Sequence, residues 1–205
     1  MKLRNTAIAL GVCAATAAGL SLLKTNKDYV VGSTAVVVGA GLMISLKDKN
    51  DINLKTRNYE YFFNRAQDKF ELADYEEAIL DYNKALELSP TEICLVYSMR
   101  GNAKRNLGDL DGAISDQNKA LGFDPLYIDG YFNRSSAKLK KGDFIGAIDD
   151  YTKVIQINPN DSDAFFNRAY VKNKVGDMKG ACEDWKKAAD LGDEEAGKLI
   201  KENCE

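Results

Sequence analysis

The 205-residue chain contains no histidine. That removes the commonest general base and the commonest metal ligand. Its four cysteines, Cys13, Cys94, Cys182 and Cys204, form no CxxC pair, so a zinc site has no support in the spacing. Proline is scarce, with three residues, and tryptophan occurs once. No glycine-rich phosphate loop and no nucleophile–base pair is present. The paired carboxylates Glu76-Glu77 and Asp149-Asp150 lie in helical stretches, where such pairs are ordinary solvated charge. Neither catalysis, a cofactor nor a small-molecule substrate is expected.

Charge divides the chain. Residues 1–58 hold 8 basic and 3 acidic side chains, a net of +5. The rest holds 20 and 28, a net of −8. Phosphate contacts need a basic face, so an acidic body argues against nucleic acid and for a protein or peptide partner.

Residues 6–23 and 29–46 are uncharged runs of 18 residues each, separated by Lys24-Thr25-Asn26-Lys27-Asp28. As helix, 18 residues span about 27 Å, the lower end of what crosses a bilayer. Three readings stay open for residues 1–47. Both runs cross as a helical hairpin; Lys2, Arg4, Lys47, Lys49, Lys55 and Arg57 then place the C-terminal body in the cytoplasm. Alternatively, the basic start and Ala15-Thr16-Ala17 form a secretory signal, which would export the rest to the periplasm or beyond. In the third, one helix crosses and the rest lies on the far side. Residues 48–58 are short, polar and charged, and read as a linker.

From Tyr59 onward one phrase recurs. Phe62-Phe63-Asn64-Arg65-Ala66 returns as Tyr131-Phe132-Asn133-Arg134-Ser135 and as Phe165-Phe166-Asn167-Arg168-Ala169. The phrases sit on a lattice of period 34, with one extra residue after the first unit. A repeat of that length marks a helical solenoid, in which each unit buries its apolar face only against its neighbours. Small residues recur at position 8 (Ala66, Gly101, Ser135, Ala169) and position 20 (Ala78, Ala113, Ala147, Ala181). Position 24 holds Tyr82, Gln117, Tyr151 and Trp185, three large rings and one amide. Position 32 holds Pro90, Pro125, Pro159 and, in the last unit, Asp193. Between paired helices stand Ala73-Asp74, Gly108-Asp109, Gly142-Asp143 and Gly176-Asp177, a helix stop followed by a helix cap.

These positions resemble the tetratricopeptide repeat family over about two-thirds of the chain. The resemblance implies an all-α, right-handed helical solenoid of four units (59–93, 94–127, 128–161, 162–193), closed by a capping helix over 194–205; the uncharged runs add one or two hydrophobic membrane helices before it. It also implies a concave groove lined by the first helix of each unit. Carried over residue by residue, the groove candidates are Phe63, Gln67, Phe70, Asn102, Arg105, Phe132, Asn133, Phe166, Asn167, Tyr170 and Lys174. Acidic residues stand at one rim and basic ones at the other. Rings supply contact area, and the asparagine amides can both donate to and accept from a partner backbone. One branch of the family clamps a C-terminal carboxylate with lysines and asparagines. Asn102 and Asn133 fit its amide positions, but Ser98, Asp129 and Asp163 stand where lysines are needed, so that clamp is not expected. Arg65, Arg134 and Arg168 occupy an often apolar position and read as structural, their stems on neighbouring helices and their heads on carboxylates such as Asp81, Asp116, Asp149 or Asp150. Cys182 can meet Cys204 if the last helix folds back; otherwise both stay reduced. The function expected is a non-catalytic, membrane-anchored interaction module or scaffold holding a peptide or helix. The alternative is a soluble exported repeat protein acting in an envelope or secreted complex.

Overall fold

The computed structural model describes residues 36–38, 42–44, 46–88 and 93–204. Two short antiparallel strands, β1 (Val36–Val38) and β2 (Leu42–Ile44), pair with Val36 opposite Ile44 and Val38 opposite Leu42. This corrects the expectation of a continuous helix over 29–46. Val36-Val37-Val38 is a run of β-branched residues, which favour extended backbone, and two glycines lie in the three residues before β2. Residues 6–23, the other candidate membrane helix, lie outside the described residues. Among the described residues no helix is long and apolar enough to cross a membrane.

Nine helices follow among the described residues. They are α1 (Leu46–Glu71), α2 (Tyr75–Leu88), α3 (Ile93–Leu107), α4 (Leu110–Phe123), α5 (Ile128–Lys141), α6 (Phe144–Ile157), α7 (Ser162–Lys174), α8 (Met178–Asp190) and α9 (Glu194–Asn203). Each packs on the next in chain order, and α3 also meets α5 directly. That pattern is a solenoid, with contacts confined to near neighbours. The polar segment 48–58, expected as a linker, is helical and continuous with the first repeat helix, so α1 runs 26 residues, about 39 Å at about 1.5 Å each.

The stops and caps follow the sequence signals. Gly108, Gly142 and Gly176 adopt φ of +90°, +86° and +87° between paired helices. Ala73 takes the equivalent place at φ +61°, a left-handed conformation that costs an L-residue about 1–2 kcal/mol. Asp109, Asp143 and Asp177 then cap α4, α6 and α8 by accepting from the third helical N–H. Asp193, in place of the proline of the other units, caps α9 in the same way through Ala196 N at 2.9 Å.

The core is a chain of clusters, one handing over to the next. Tyr82, Tyr151 and Trp185 fill position 24 and are fully shielded. Phe63 meets Tyr82 edge-on at 6.1 Å, and Phe132 meets Tyr151 at 5.7 Å. In the second unit Gln117 replaces the ring, is fully buried, and donates to the Ser98 carbonyl at 3.0 Å. Gly101 makes room for it, since a Cβ there would lie 2.9 Å from Gln117 Nε2. The end of the solenoid is closed by α9, whose Ala196, Leu199 and Ile200 pack with Trp185 and Ala188. A Cys182–Cys204 disulfide ties that capping helix to α8.

One polar device repeats in every unit. Arg65, Arg100, Arg134 and Arg168 each place Nε and Nη2 on the carboxylate sixteen residues later, Asp81, Asp116, Asp150 and Asp184. A lysine one turn on, Lys69, Lys104, Lys138 or Lys172, reaches the same carboxylate at 2.8–2.9 Å. All four aspartates are buried. The Nη1 of Arg100, Arg134 and Arg168 reaches back to the preceding unit, to Asn83, Asn118 and Thr152. Each guanidinium also lies over the ring at position 4 of its own unit, Phe62, Tyr97, Tyr131 or Phe165. The arginines therefore join the two helices of a unit, and three of them join one unit to the last. Arg100 and Asp184 belong to this set although the recurring phrase did not mark them, whereas Asp149 is exposed and takes no part.

Candidate functional site

The first helix of each unit contributes to the candidate groove, and the structure sorts the eleven candidate residues into three groups. Phe63, Phe132 and Phe166 are core residues, 8 %, 9 % and 1 % exposed. Phe63 and Phe132, at position 5, pack on the ring of position 24 in their own units. Phe70 is half-buried with its ring edge-on to Tyr75 at 5.2 Å. The second group is exposed or rim-facing. Lys174 is exposed, its Nζ 5.4 Å from the Tyr170 ring centre, and Tyr170 and Gln67 are half-buried.

The third group is polar, with Asn167 buried and Asn102, Arg105 and Asn133 half-buried. Asn133 on α5 donates through Nδ2 to Ser98 Oγ on α3 at 3.1 Å. Arg105 on α3 donates through Nη1 to Ser136 Oγ on α5 at 2.7 Å. These two bonds cross the direct contact between α3 and α5. Asn102 Oδ1, Arg105 Nε and Asn167 Oδ1 are buried without a hydrogen-bond partner. Buried polar atoms ordinarily have partners, since leaving one unmatched costs about 1–3 kcal/mol. Three more such atoms, Tyr82 Oη, Gln117 Oε1 and Trp185 Nε1, lie in the core at position 24.

The charges are polarised as the sequence implied. Glu60, Asp129 and Asp163 stand in the first turns of α5 and α7 or the matching turn of α1, and Arg105, Lys140 and Lys174 in the last turns. Burial, with Asp161 nearby, pushes the Asp129 carboxyl up. Burial pulls the Arg105 guanidinium down, opposed by the Tyr75 hydroxyl. Among the described residues no group of His, Cys, Asp or Glu is arranged to hold a metal ion.

Repeated two-helix units and a capped end define a solenoid of the helical-repeat class. Sequence profiles of the tetratricopeptide repeat match residues 59–92, 96–125, 128–161 and 150–183. The chain belongs to the tetratricopeptide repeat family. Among solved structures it is similar to a crystal structure of MamA, at 20 % identity and TM-score 0.62, covering 76 % of this chain and 99 % of that one. A tetratricopeptide repeat protein from Parabacteroides merdae aligns at 21 % identity and TM-score 0.63, over 67 % of this chain and 55 % of that one. The first tetratricopeptide domain of Spaghetti (RPAP3), solved with an HSP90 peptide, aligns at 22 % identity and TM-score 0.54, over 58 % and 94 %. Among curated proteins no sequence match is found.

Proposed function

We propose that this protein is a scaffold that holds an extended peptide segment of a protein partner along α3, α5 and α7, close to a membrane to which residues 6–46 attach it. The observation that carries the peptide reading is the row of unmatched buried polar atoms at Asn102, Arg105 and Asn167. An extended peptide offers backbone N–H and C=O groups that such atoms can bond. The likeness to a repeat domain solved with a bound peptide agrees with this use of the layer. Gln67, Asn133, Tyr170 and Lys174 border the same layer and would flank the segment.

Membrane attachment rests on the uncharged composition of 6–23 and 29–46 and on the basic residues that flank them. If both runs cross, the asymmetry of basic residues favours a cytoplasmic solenoid. A second reading, export, is favoured by the Cys182–Cys204 disulfide, because such bonds persist in oxidising compartments. One experiment separates the two. A tag after Glu205 is probed with protease on intact and opened cells, with crosslinked pull-down of whatever the solenoid holds. A tag protected in intact cells and recovered with membranes supports the cytoplasmic scaffold. A tag cut in intact cells, or found free of membranes, refutes it in favour of export.

A further inference from the structure

Arg105 breaks the rule that the other solenoid arginines follow. In Arg65, Arg100, Arg134 and Arg168 the Nη1 atom bonds a neutral oxygen, and the Nε–Nη2 edge holds a carboxylate. Arg105 keeps the first half of that pattern, with Nη1 on Ser136 Oγ. Its Nε is shielded from solvent and meets no acceptor. Among the described residues no carboxylate lies within ion-pair distance of it. A guanidinium is a planar fork that matches a carboxylate through two parallel bonds, and a buried one without a counter-charge is costly. Asn102, one turn earlier on the same helix, presents a shielded Oδ1 that also has no donor.

We infer that Arg105 anchors an acidic side chain, Asp or Glu, of the peptide segment lying along α3 and α5, and that Asn102 accepts a backbone N–H of the same segment. The inference rests on the peptide reading above and adds the chemistry of the partner. The carboxylate takes the Nε–Nη2 edge, as Asp116 does on Arg100 of the same helix. A side-chain carboxylate, unlike a chain terminus, lets the backbone run on in both directions past Asn133 toward Asn167. The opposite rim, with Asp129 and Asp163, repels a second acidic residue there and favours a basic one. Arg105 thus fixes both the composition of the segment and its register.

The test uses the full chain in detergent micelles on two arrays of random dodecapeptides, one with both ends blocked and one with free C-terminal carboxylates. On the blocked array the retained peptides should share an acidic residue at one position. In solution, replacing that residue in a representative peptide by its amide should raise Kd at least tenfold. Arg105→Gln should raise Kd to a similar degree, and the two changes together should cost little more than either. Arg105→Lys, which keeps the charge without the two-bond edge, should recover part of the affinity. A thermal melt followed by circular dichroism checks each variant's fold; if Arg105→Gln does not fold, Arg105→Lys against the acid and amide peptides decides the matter. Retained peptides without acidic enrichment overturn the inference. So does an acid-to-amide penalty that is unchanged in the Arg105 variants. Enrichment confined to free C-termini overturns the side-chain assignment. Retention of no peptide on either array defeats the underlying peptide reading instead.

Discussion

Replacing Asp116 by Asn asks whether the carboxylate repeated in every unit holds the solenoid together. Asp116 is 1 % exposed and takes Arg100 on both oxygens, at 2.8 and 2.6 Å, and Lys104 at 2.8 Å. Asparagine keeps the shape and removes the charge, leaving two cations facing a neutral group. Breaking a buried pair from one side costs about 3–5 kcal/mol. The side chains of Arg100 and Lys104 keep 14 % and 21 % exposure, and that partial solvation brings the expected loss to the lower end, about 3 kcal/mol. Arg100 Nη1 also bonds Asn83 of the preceding unit at 2.6 Å, so part of the loss falls on the joint between units. With a urea slope of about 2 kcal/mol per molar, the midpoint followed by circular dichroism should fall by about 1.5 M. Asp149→Asn, at an exposed carboxylate without an ion pair among the described residues, is the control and should stay within about 0.5 kcal/mol. Acid supplies a second check. Burial alone would raise the Asp116 pKa, but the bonds from Arg100 and Lys104 outweigh it and hold the carboxyl below its ordinary range. The folded pKa is the lower of the two states. The stabilisation is therefore complete above about pH 4, the unfolded value, and fades as pH falls through the folded pKa. The difference between the natural protein and Asp116→Asn should be level from neutral pH down to about 5 and narrow below about 4. Equal losses in the Asp116 and Asp149 variants, or a difference that persists undiminished in acid, would refute the argument.

Three further changes probe other parts of the fold. Ala73→Gly should stabilise by about 0.5–1 kcal/mol, because it relieves a left-handed alanine at some entropic cost; an unchanged or lower urea midpoint counts against it. Ala147→Leu overfills the small-residue crevice between α5 and α6 and should destabilise by about 1–3 kcal/mol in the same assay, whereas a neutral effect would mean the crevice has slack. Cys204→Ser opens a 22-residue bridge and should lower stability by about 3 kcal/mol under oxidising conditions, with no difference from the natural chain once both are fully reduced.

The helices, the four-unit lattice and the final cap were legible because each unit repeats small residues, stops and caps at fixed spacing. The arginine role was legible too, since a long charged side chain at a buried position has few options besides a carboxylate across the unit. Arg100 escaped because its unit reads Tyr97-Ser98-Met99-Arg100, without the phrase that marks the others. The burial of the phenylalanines was not legible, for a physical reason. Position 5 lies between the groove layer and the core, and a ring there gains more by meeting Tyr82 or Tyr151 than by facing water. Ser98, small and polar at the same position, instead receives the Asn133 amide. At 29–46 the apolar run is equally readable as strand or helix, and the valines decide for strand at Val36–Val38. Residues 48–58 look like a linker by polarity alone, yet Lys, Asp, Asn and Arg suit a solvated helix once a packed repeat extends it.

Because α1 passes without interruption from Leu46 into the first repeat, its first turns are geared to the solenoid, not hinged to it. A helix advances about 1.5 Å and turns about 100° per residue. One residue inserted near Lys55 would therefore swing the polar layer about a quarter turn relative to the start of α1 while lengthening the arm almost not at all. Seven inserted residues would nearly restore the facing, at about 10 Å greater reach. Under the scaffold reading proposed above, the angular phase of that one helix carries more information than its length.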